Sequence, residues 1–517
     1  MRRVSVLALV LAASCARCGA PKSAASAEEL LPQRPSGAVV TAPLGVLAEH
    51  LKALADTLAA LPGGEQLGDL RKGLAAQLGF DPLTREGLVA GGVDPQRSAA
   101  LVLIDTPPRP EWILALPLAN AELFMQTVQK QLVERGGFTP AAQQPAGAKV
   151  FERGSSSQKL GLAVVRGYGM LARGADPAAL LVERKVEESL ARAPGLAAAK
   201  QKLGAQDVLV WAPAGSALPR RYTSRPLPGD VALSLQGAAR GLALKFVAQL
   251  PPAEAAKAKA ALPGGGAALA ELLPDDAPVR ARLGVAPARL LELARGDAQV
   301  AALLDRLHGV DDVFAALQPG AALSLSVAKS ASIAQAIDYG LDFRRKSPFD
   351  TVELVALAQV ADKARLIKAL DALAQQLPAL GMKVSRTAGS AAGADFQTTY
   401  AAGQGARFGV RDVDGKPVGY VIGGALKPEE LHRSKASADA PALREDAGAA
   451  ARADFGKLAA AIHALPESTF GAGPQSYVTR SVVGQVIDPL RPLRLTFGLQ
   501  AQPDSLDATL DVEVAAP

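Results

Sequence analysis

The sequence predicts an α+β protein, built as a duplicated unit of antiparallel strands with amphipathic helices packed on one face. Three observations predict it. Apolar and polar residues alternate over short runs joined by glycine-containing turns, the period of half-buried strands. Longer runs between them carry apolar residues at helical spacing. The order of these strands and helices then recurs at a nearly constant offset along the 517 residues.

The repeat begins with "LLPQRPSGAVV" near Leu31, answered by "LLPDDAPVRARL" near Leu273, an offset of 242 residues. Each is followed by a helical run, "GVLAEHLKALADTLAAL" or "GVAPARLLELARGDAQVAALLDRL". The strands "SAALVLI" and "GAALSLSV" come next. Then "WILALPLANAELFMQTVQKQL" and "VELVALAQVADKARLIKALDALAQQL" each run from a strand into a helix. Asn120 and Asp362 stand at the expected N-caps, again 242 apart, where a short side-chain oxygen can accept from an otherwise unpaired helical N–H. The hairpins "LGLAVVRGYGMLARG" and "ARFGVRDVDGKPVGYVIGG" follow. Asp176-Pro177 and Lys427-Pro428 then open helices, since proline lacks an N–H where none is needed. Each copy closes on a strand pair, "DVALSLQGAARGLALKFVAQL" or "LRLTFGLQAQPDSLDATLDVEVAA". The copies are therefore placed at residues 37–252 and 273–517, with a linker at 253–272 punctuated by Gly264, Gly265 and Gly266.

The N-terminus carries an address. Arg2 and Arg3 precede an apolar or small run from Val4 to Ala13, too short at about 1.5 Å per residue to span a hydrocarbon core of roughly 30 Å. Such a segment reads as an export signal that is removed, at residues 1–14. Its end, Leu11-Ala12-Ala13-Ser14-Cys15, resembles the lipobox of bacterial lipoproteins, with the leucine one position further from the cysteine than usual. The resemblance covers about the first 15 residues and implies lipid modification of Cys15 as the new N-terminus. Residues 15–36, rich in small residues and proline, read as the lipidated end and a flexible tether. Cys15 and Cys18 are the only cysteines, so the body cannot be held by internal disulfides and a four-ligand metal site lacks its other ligands.

Charge excludes little and motifs supply less. Without residues 1–14 the chain has 54 basic and 50 acidic residues, dispersed along its length, which gives no footprint for nucleic acid. Ser326-Val327-Ala328-Lys329 and Ser156 with Lys159 have S-x-x-K spacing. One lies in an expected strand and the other in a loop, without the accompanying motifs of penicillin-binding enzymes. Asp412-Val413-Asp414-Gly415 begins like a calcium loop, lacks its terminal acid, and fits a hairpin turn better. No cofactor, metal or catalytic residue is expected.

The copies differ most where the second carries "AKSASIAQAIDYGLDFRRKSPFD", Ala328 to Asp350, against "DTPPRPE", Asp105 to Glu111. Tyr339, Phe343 and Phe349 interleave there with Arg344, Arg345 and Lys346, a combination suited to an anionic partner or lipid headgroups. The plainer reading is a flap over a sheet end. The functional expectation is a lipid-anchored protein of the bacterial cell envelope, at the outer membrane facing the periplasm or at the cell surface. Its body would be a non-enzymatic binding or scaffold module for an envelope protein or lipid. An envelope hydrolase with carboxylates assembled from both copies, or a lipid carrier, is the alternative.

Overall fold

The computed structural model describes residues 25–59, 65–104, 111–154, 159–216, 228–238, 240–328, 348–380, 382–386, 395–399, 405–424, 426–431, 448–471 and 473–515. The chain is α+β, with antiparallel strand pairing among the described residues. It divides into two compact units, one comprising residues up to Asp56 with Gln66–Gly237, the other Thr57–Glu65 with Ala238–Pro517.

The first unit runs β1 (Gly37–Pro43), α1 (Leu44–Ala59), α2 (Glu65–Leu78), α3 (Arg85–Ala90), β2 (Ser98–Leu103), β3 (Trp112–Pro117) and α4 (Ala121–Lys130). It continues with β4 (Thr139–Pro140), β5 (Ala148–Glu152), β6 (Lys159–Val165), β7 (Tyr168–Gly174), α5 (Pro177–Leu180), α6 (Pro194–Leu203), β8 (Val208–Ala212) and β9 (Val231–Ala238). Its strands pair in the order β4-β5-β6-β7-β3-β2-β1-β8-β9.

Helices cover both faces of this sheet, where the sequence predicted one. The alternation of a strand decides it, because neighbours along β7 must point opposite ways. Gly169 and Leu171 lie on one face, where a Cβ at Gly169 would collide with the ring of Phe124 from α4. Ala172 lies on the other. A Cβ on its cross-strand partner Gly161 would sit only 2.8 and 2.9 Å from Leu181 and Pro177 at α5. Phe124 (1% exposed) thus centres a core with Leu88, Val93 and Leu162 on its own side.

The second unit contains β10 (Gly241–Gln249), α7 (Pro252–Ala261), α8 (Ala267–Ala270), β11 (Val279–Leu283), α9 (Pro287–Gly296), α10 (Ala298–Leu304), α11 (Val310–Ala315), β12 (Leu317–Val327) and β13 (Val352–Val360). After these come α12 (Lys363–Gln376), β14 (Lys383–Arg386), β15 (Asp395–Thr399), β16 (Ala406–Val413), β17 (Lys416–Gly423), β18 (Ala449–Asp454), α13 (Phe455–His463), α14 (Pro474–Ile487), β19 (Leu493–Ala501) and β20 (Ser505–Val514). The order is β14-β15-β16-β17-β13-β12-β11-β18-β19-β20-β10. Two cores again lie on opposite faces. Val418, Tyr420 and Ile422 of β17 pack with Leu269, Leu272 and Leu273, while the face of Gly419 meets Leu366 of α12 in a cluster with Val360, Phe396 and Val410.

Three boundaries differ from the sequence reading. Residues 25–36 are not a tether: Leu30 and Leu31 are 2% and 0% exposed, and the Leu31 carbonyl accepts from the Leu190 N–H at 2.8 Å. Residues 253–272 are not a loose linker either. They form α7 and α8, with Leu269 and Leu272 buried, and the turn between them is held by Arg282. That arginine is 0% exposed, and its Nη1 donates to the Gly265 carbonyl at 2.7 Å. Finally β10, expected to close the first copy, groups with the second unit and pairs with β20 from Gly241↔Glu513 to Gln249↔Ser505.

Local rules read from the sequence are met at several ends. Asn120 and Asp362 accept from the N–H of Leu123 and Arg365 at 3.0 and 2.9 Å. The β6–β7 and β16–β17 hairpins turn through Arg166-Gly167 and Asp414-Gly415, all at positive φ (48°, 77°, 50° and 75°), the twist-matched geometry of two-residue hairpins.

We expect Gly169→Ala to lower unfolding stability by about 1–3 kcal/mol, because Phe124 must leave its rotamer or the sheet must shift. Gly419→Ala, whose new methyl would first meet Leu366 at 3.4 Å, should stay within about 0.5 kcal/mol. Equal losses in urea titrations would show that Phe124 is not held against β7.

Candidate functional site

Cys15, Tyr339, Phe343, Arg344, Arg345 and Lys346 lie outside the described residues. Phe349, the remaining member of the predicted contact patch, is half-buried, and its ring fills the space above Gly423. Gly423 is the last residue of β17, which lies between β16 and β13. Ser326 lies within β12, and Lys329 and Ser156 fall outside the described residues.

In the first unit a cleft of about 680 Å³ lies between the turn at Ala25–Glu28, the end of β1, and the loop after α6. Its charges are engaged in holding the start of the described chain. Lys200 pairs with Glu28, and Arg97 donates from Nη2 to the Ala25 carbonyl at 2.7 Å while its guanidinium lies 4.2 Å from the Tyr168 ring centroid. Burial pushes the Tyr168 phenol above its ordinary pKa, so it stays neutral beneath that arginine. Gln206 also lines the cleft, and its Oε1 is buried with no hydrogen-bond partner among the described residues.

Two histidines, His50 and His463, tie segments together. His50 Nδ1 lies 2.9 Å from both oxygens of Asp207, whose carboxylate (side chain 5% exposed) also accepts from the Gly237 N–H at 2.6 Å. His463 Nε2 joins the end of α13 to Asp488 after α14 at 2.6 Å. Tyr420 donates to Asp395 at 2.6 Å, and burial, with that carboxylate, holds its pKa far above the usual phenol range. Among the described residues no cluster of three His, Cys, Asp or Glu could hold a metal, and no helix is long and apolar enough to cross a membrane.

The surface that stands out is one face of the three strands β10, β20 and β19. Their registers align Leu242–Val512–Leu495, Leu244–Leu510–Phe497, Phe246–Ala508–Leu499 and Ala248–Leu506–Ala501 in successive rows. Every side chain in these rows is apolar, yet none is buried: Phe497 is 38% exposed and the rest are half-buried. The reverse face holds Ala243–Asp511–Thr496, Lys245–Thr509–Gly498 and Val247–Asp507–Gln500. Amphipathic strands normally place their apolar side on a core. Here that side is left partly open, and contiguous apolar surface of this kind marks a contact or ligand site.

Sequence reasoning missed this site although its signal was present. "SLDATLDVEV" and "LRLTFGLQA" alternate strictly, while "GLALKFVAQ" keeps an apolar residue at every second position with Ala243 and Val247 also apolar between them. What the alternation lacks is the partner: nothing local puts the three apolar edges on one face.

Comparisons with known proteins add no identity. No family model and no curated protein matches the chain. Two crystal forms of TP0453 resemble it, form IV with a TM-score of 0.26, 9% identity and coverage of 44% of this chain and 82% of that one. For form III the figures are 0.27, 10%, 47% and 89%. Likeness at that level carries no argument about fold or function.

An open face predicts unequal mutational costs. Leu510→Ala on β20 should destabilise by about 1 kcal/mol or less, whereas Leu357→Ala, at 2% exposure in the second unit's core, should lose about 2–5 kcal/mol. Comparable losses in chemical denaturation would mean that the face is covered in solution.

Proposed function

We propose that this protein is an exported bacterial lipoprotein, held in the cell envelope through lipid on Cys15, whose body binds a partner or apolar ligand and performs no catalysis. The observation that carries the binding reading is the apolar face of β10, β20 and β19, half-open beside buried cores elsewhere in the same unit. A surface with this composition is stabilised by removing it from water, at about 25 cal/mol per Å² of apolar area. The anchor reading rests on Arg2, Arg3, the apolar run to Ala13 and the lipobox-like residues ending at Cys15.

The body is read as an internal duplication. Eight strand pairings of the first unit have counterparts in the second at the same places in chain order, from β1–β2 and β11–β12 through to β8–β9 and β18–β19. Among the described residues, the two non-glycine residues with positive φ, Arg166 and Asp414, stand at equivalent hairpin turns. Buried Leu31 and Leu273 precede β1 and β11 at the offset of 242 found in the sequence.

Fractionation tests the anchor. Cys15→Ala should move the protein from the membrane to the soluble envelope fraction; retention with unchanged N-terminal processing would exclude Cys15 and turn attention to Cys18. The binding face is tested separately with an environment-sensitive apolar dye. The folded protein should enhance its fluorescence saturably, and Phe497→Asp should abolish that enhancement. An unchanged signal would remove the face from the reading.

A further inference from the structure

We propose that the occupant of the β10–β20–β19 face is the pair of acyl chains of an anionic phospholipid, lying along the strands with its phosphate at the Arg240 and Arg491 end. This rests on the binding reading above and specifies its ligand.

The chemistry of the face selects an acyl chain over a protein surface. Its four rows offer no hydroxyl, amide or charged side chain. Protein interfaces of ordinary size carry about one hydrogen bond per 100–200 Å², so a protein ligand would bury polar groups here without partners. A hydrocarbon chain has none to satisfy. The dimensions agree: six residue steps from Leu242 to Ala248 extend about 20 Å, and two strand spacings give about 10 Å of width. That is the length of a common fatty acyl chain and the breadth of two side by side.

Charge orients the lipid. Exposed Arg240 immediately precedes β10, and its carbonyl accepts from the Val514 N–H at 2.8 Å. Exposed Arg491 stands two residues before β19, whose first residue Leu493 pairs with the same Val514. Both cations therefore belong to the Leu242 end of the rows. At the opposite end the Asp504 carbonyl accepts from the Leu250 N–H at 2.9 Å, putting an acidic residue beside the Ala248 row. Glu513 and Arg494 face each other in register on the reverse side of the sheet. An anionic headgroup is thus attracted at one end only, and a guanidinium suits a phosphate by offering several donors in a plane.

The test uses the full chain, delipidated and then incubated with phosphatidylglycerol vesicles, with protein-bound lipid measured by native mass spectrometry after removal of the vesicles. We expect one phospholipid per chain. Leu244→Asp with Leu510→Asp should lower occupancy at least tenfold, and Arg240→Gln with Arg491→Gln should reduce the preference for phosphatidylglycerol over phosphatidylcholine several-fold while leaving total uptake nearly intact. Because the double aspartate variant can fail to fold, a photoactivatable phospholipid is crosslinked to the unaltered chain in parallel, and label on β10, β19 or β20 peptides is the expected result. Label confined to other segments, or no phospholipid bound while the apolar dye still binds through Phe497, would overturn the phospholipid inference and leave the binding reading standing. Binding of palmitate alone would overturn it in the same way. Loss of dye binding as well as lipid binding would overturn both.

Discussion

Successive side chains of a strand must leave on opposite faces, and in each unit that constraint is met by two separate cores on one sheet. Met170 and Ala172 of β7 serve one side while Gly169 and Leu171 serve the other. In the second unit Tyr420 and Ile422 pack with Leu272 and Leu273, and Gly419 between Val418 and Tyr420 turns towards Leu366. Glycine recurs on the crowded side because a helix must approach the backbone there. Phe124 occupies the space that a side chain at Gly169 would need, and the Pro177–Leu181 turn does the same at Gly161. The positions of α4 and α5 follow from which residues on the strand beneath are small, whereas Gly419 leaves room for a methyl beneath α12.

Much of this was legible in the sequence because it is local. Alternation marked the strands, Asn120 and Asp362 marked helix starts, and Asp414-Gly415 marked a turn, each through chemistry confined to a few neighbouring residues. Helices on both faces were not legible. A strand buried on two sides loses the contrast between its faces, and "YGMLARG" or "WILALP" then reads simply as apolar. The linker reading failed for a related reason. Alanine and glycine look permissive in sequence, but Gly264, Gly265 and Gly266 adopt φ of 86°, 109° and 85° to wrap the chain closely around Arg282.

The candidate site was hidden by pairing rather than by composition. Each of β10, β19 and β20 carries an obvious apolar edge, and an apolar edge ordinarily means burial. Only registers such as Leu244↔Leu510 and Phe497↔Leu510 bring three such edges together, and only their incomplete burial distinguishes the result from a core. The contact patch read from Tyr339, Phe343, Arg344, Arg345, Lys346 and Phe349 lies outside the described residues but for one. Its one described member, Phe349, is occupied with Gly423.

The far ends of the two strand orders have a bearing on how such a protein survives at high local density. A sheet normally ends in a row of unpaired N–H and C=O groups that can recruit the same edge of a neighbouring molecule. In the first unit that position falls to β4, two residues long and half proline, which leaves almost no ladder to extend. In the second it falls to β14, four residues long, with exposed Lys383 and Arg386 at its two ends. An approaching copy would set like charge against like charge. Both margins therefore resist fibrillar association.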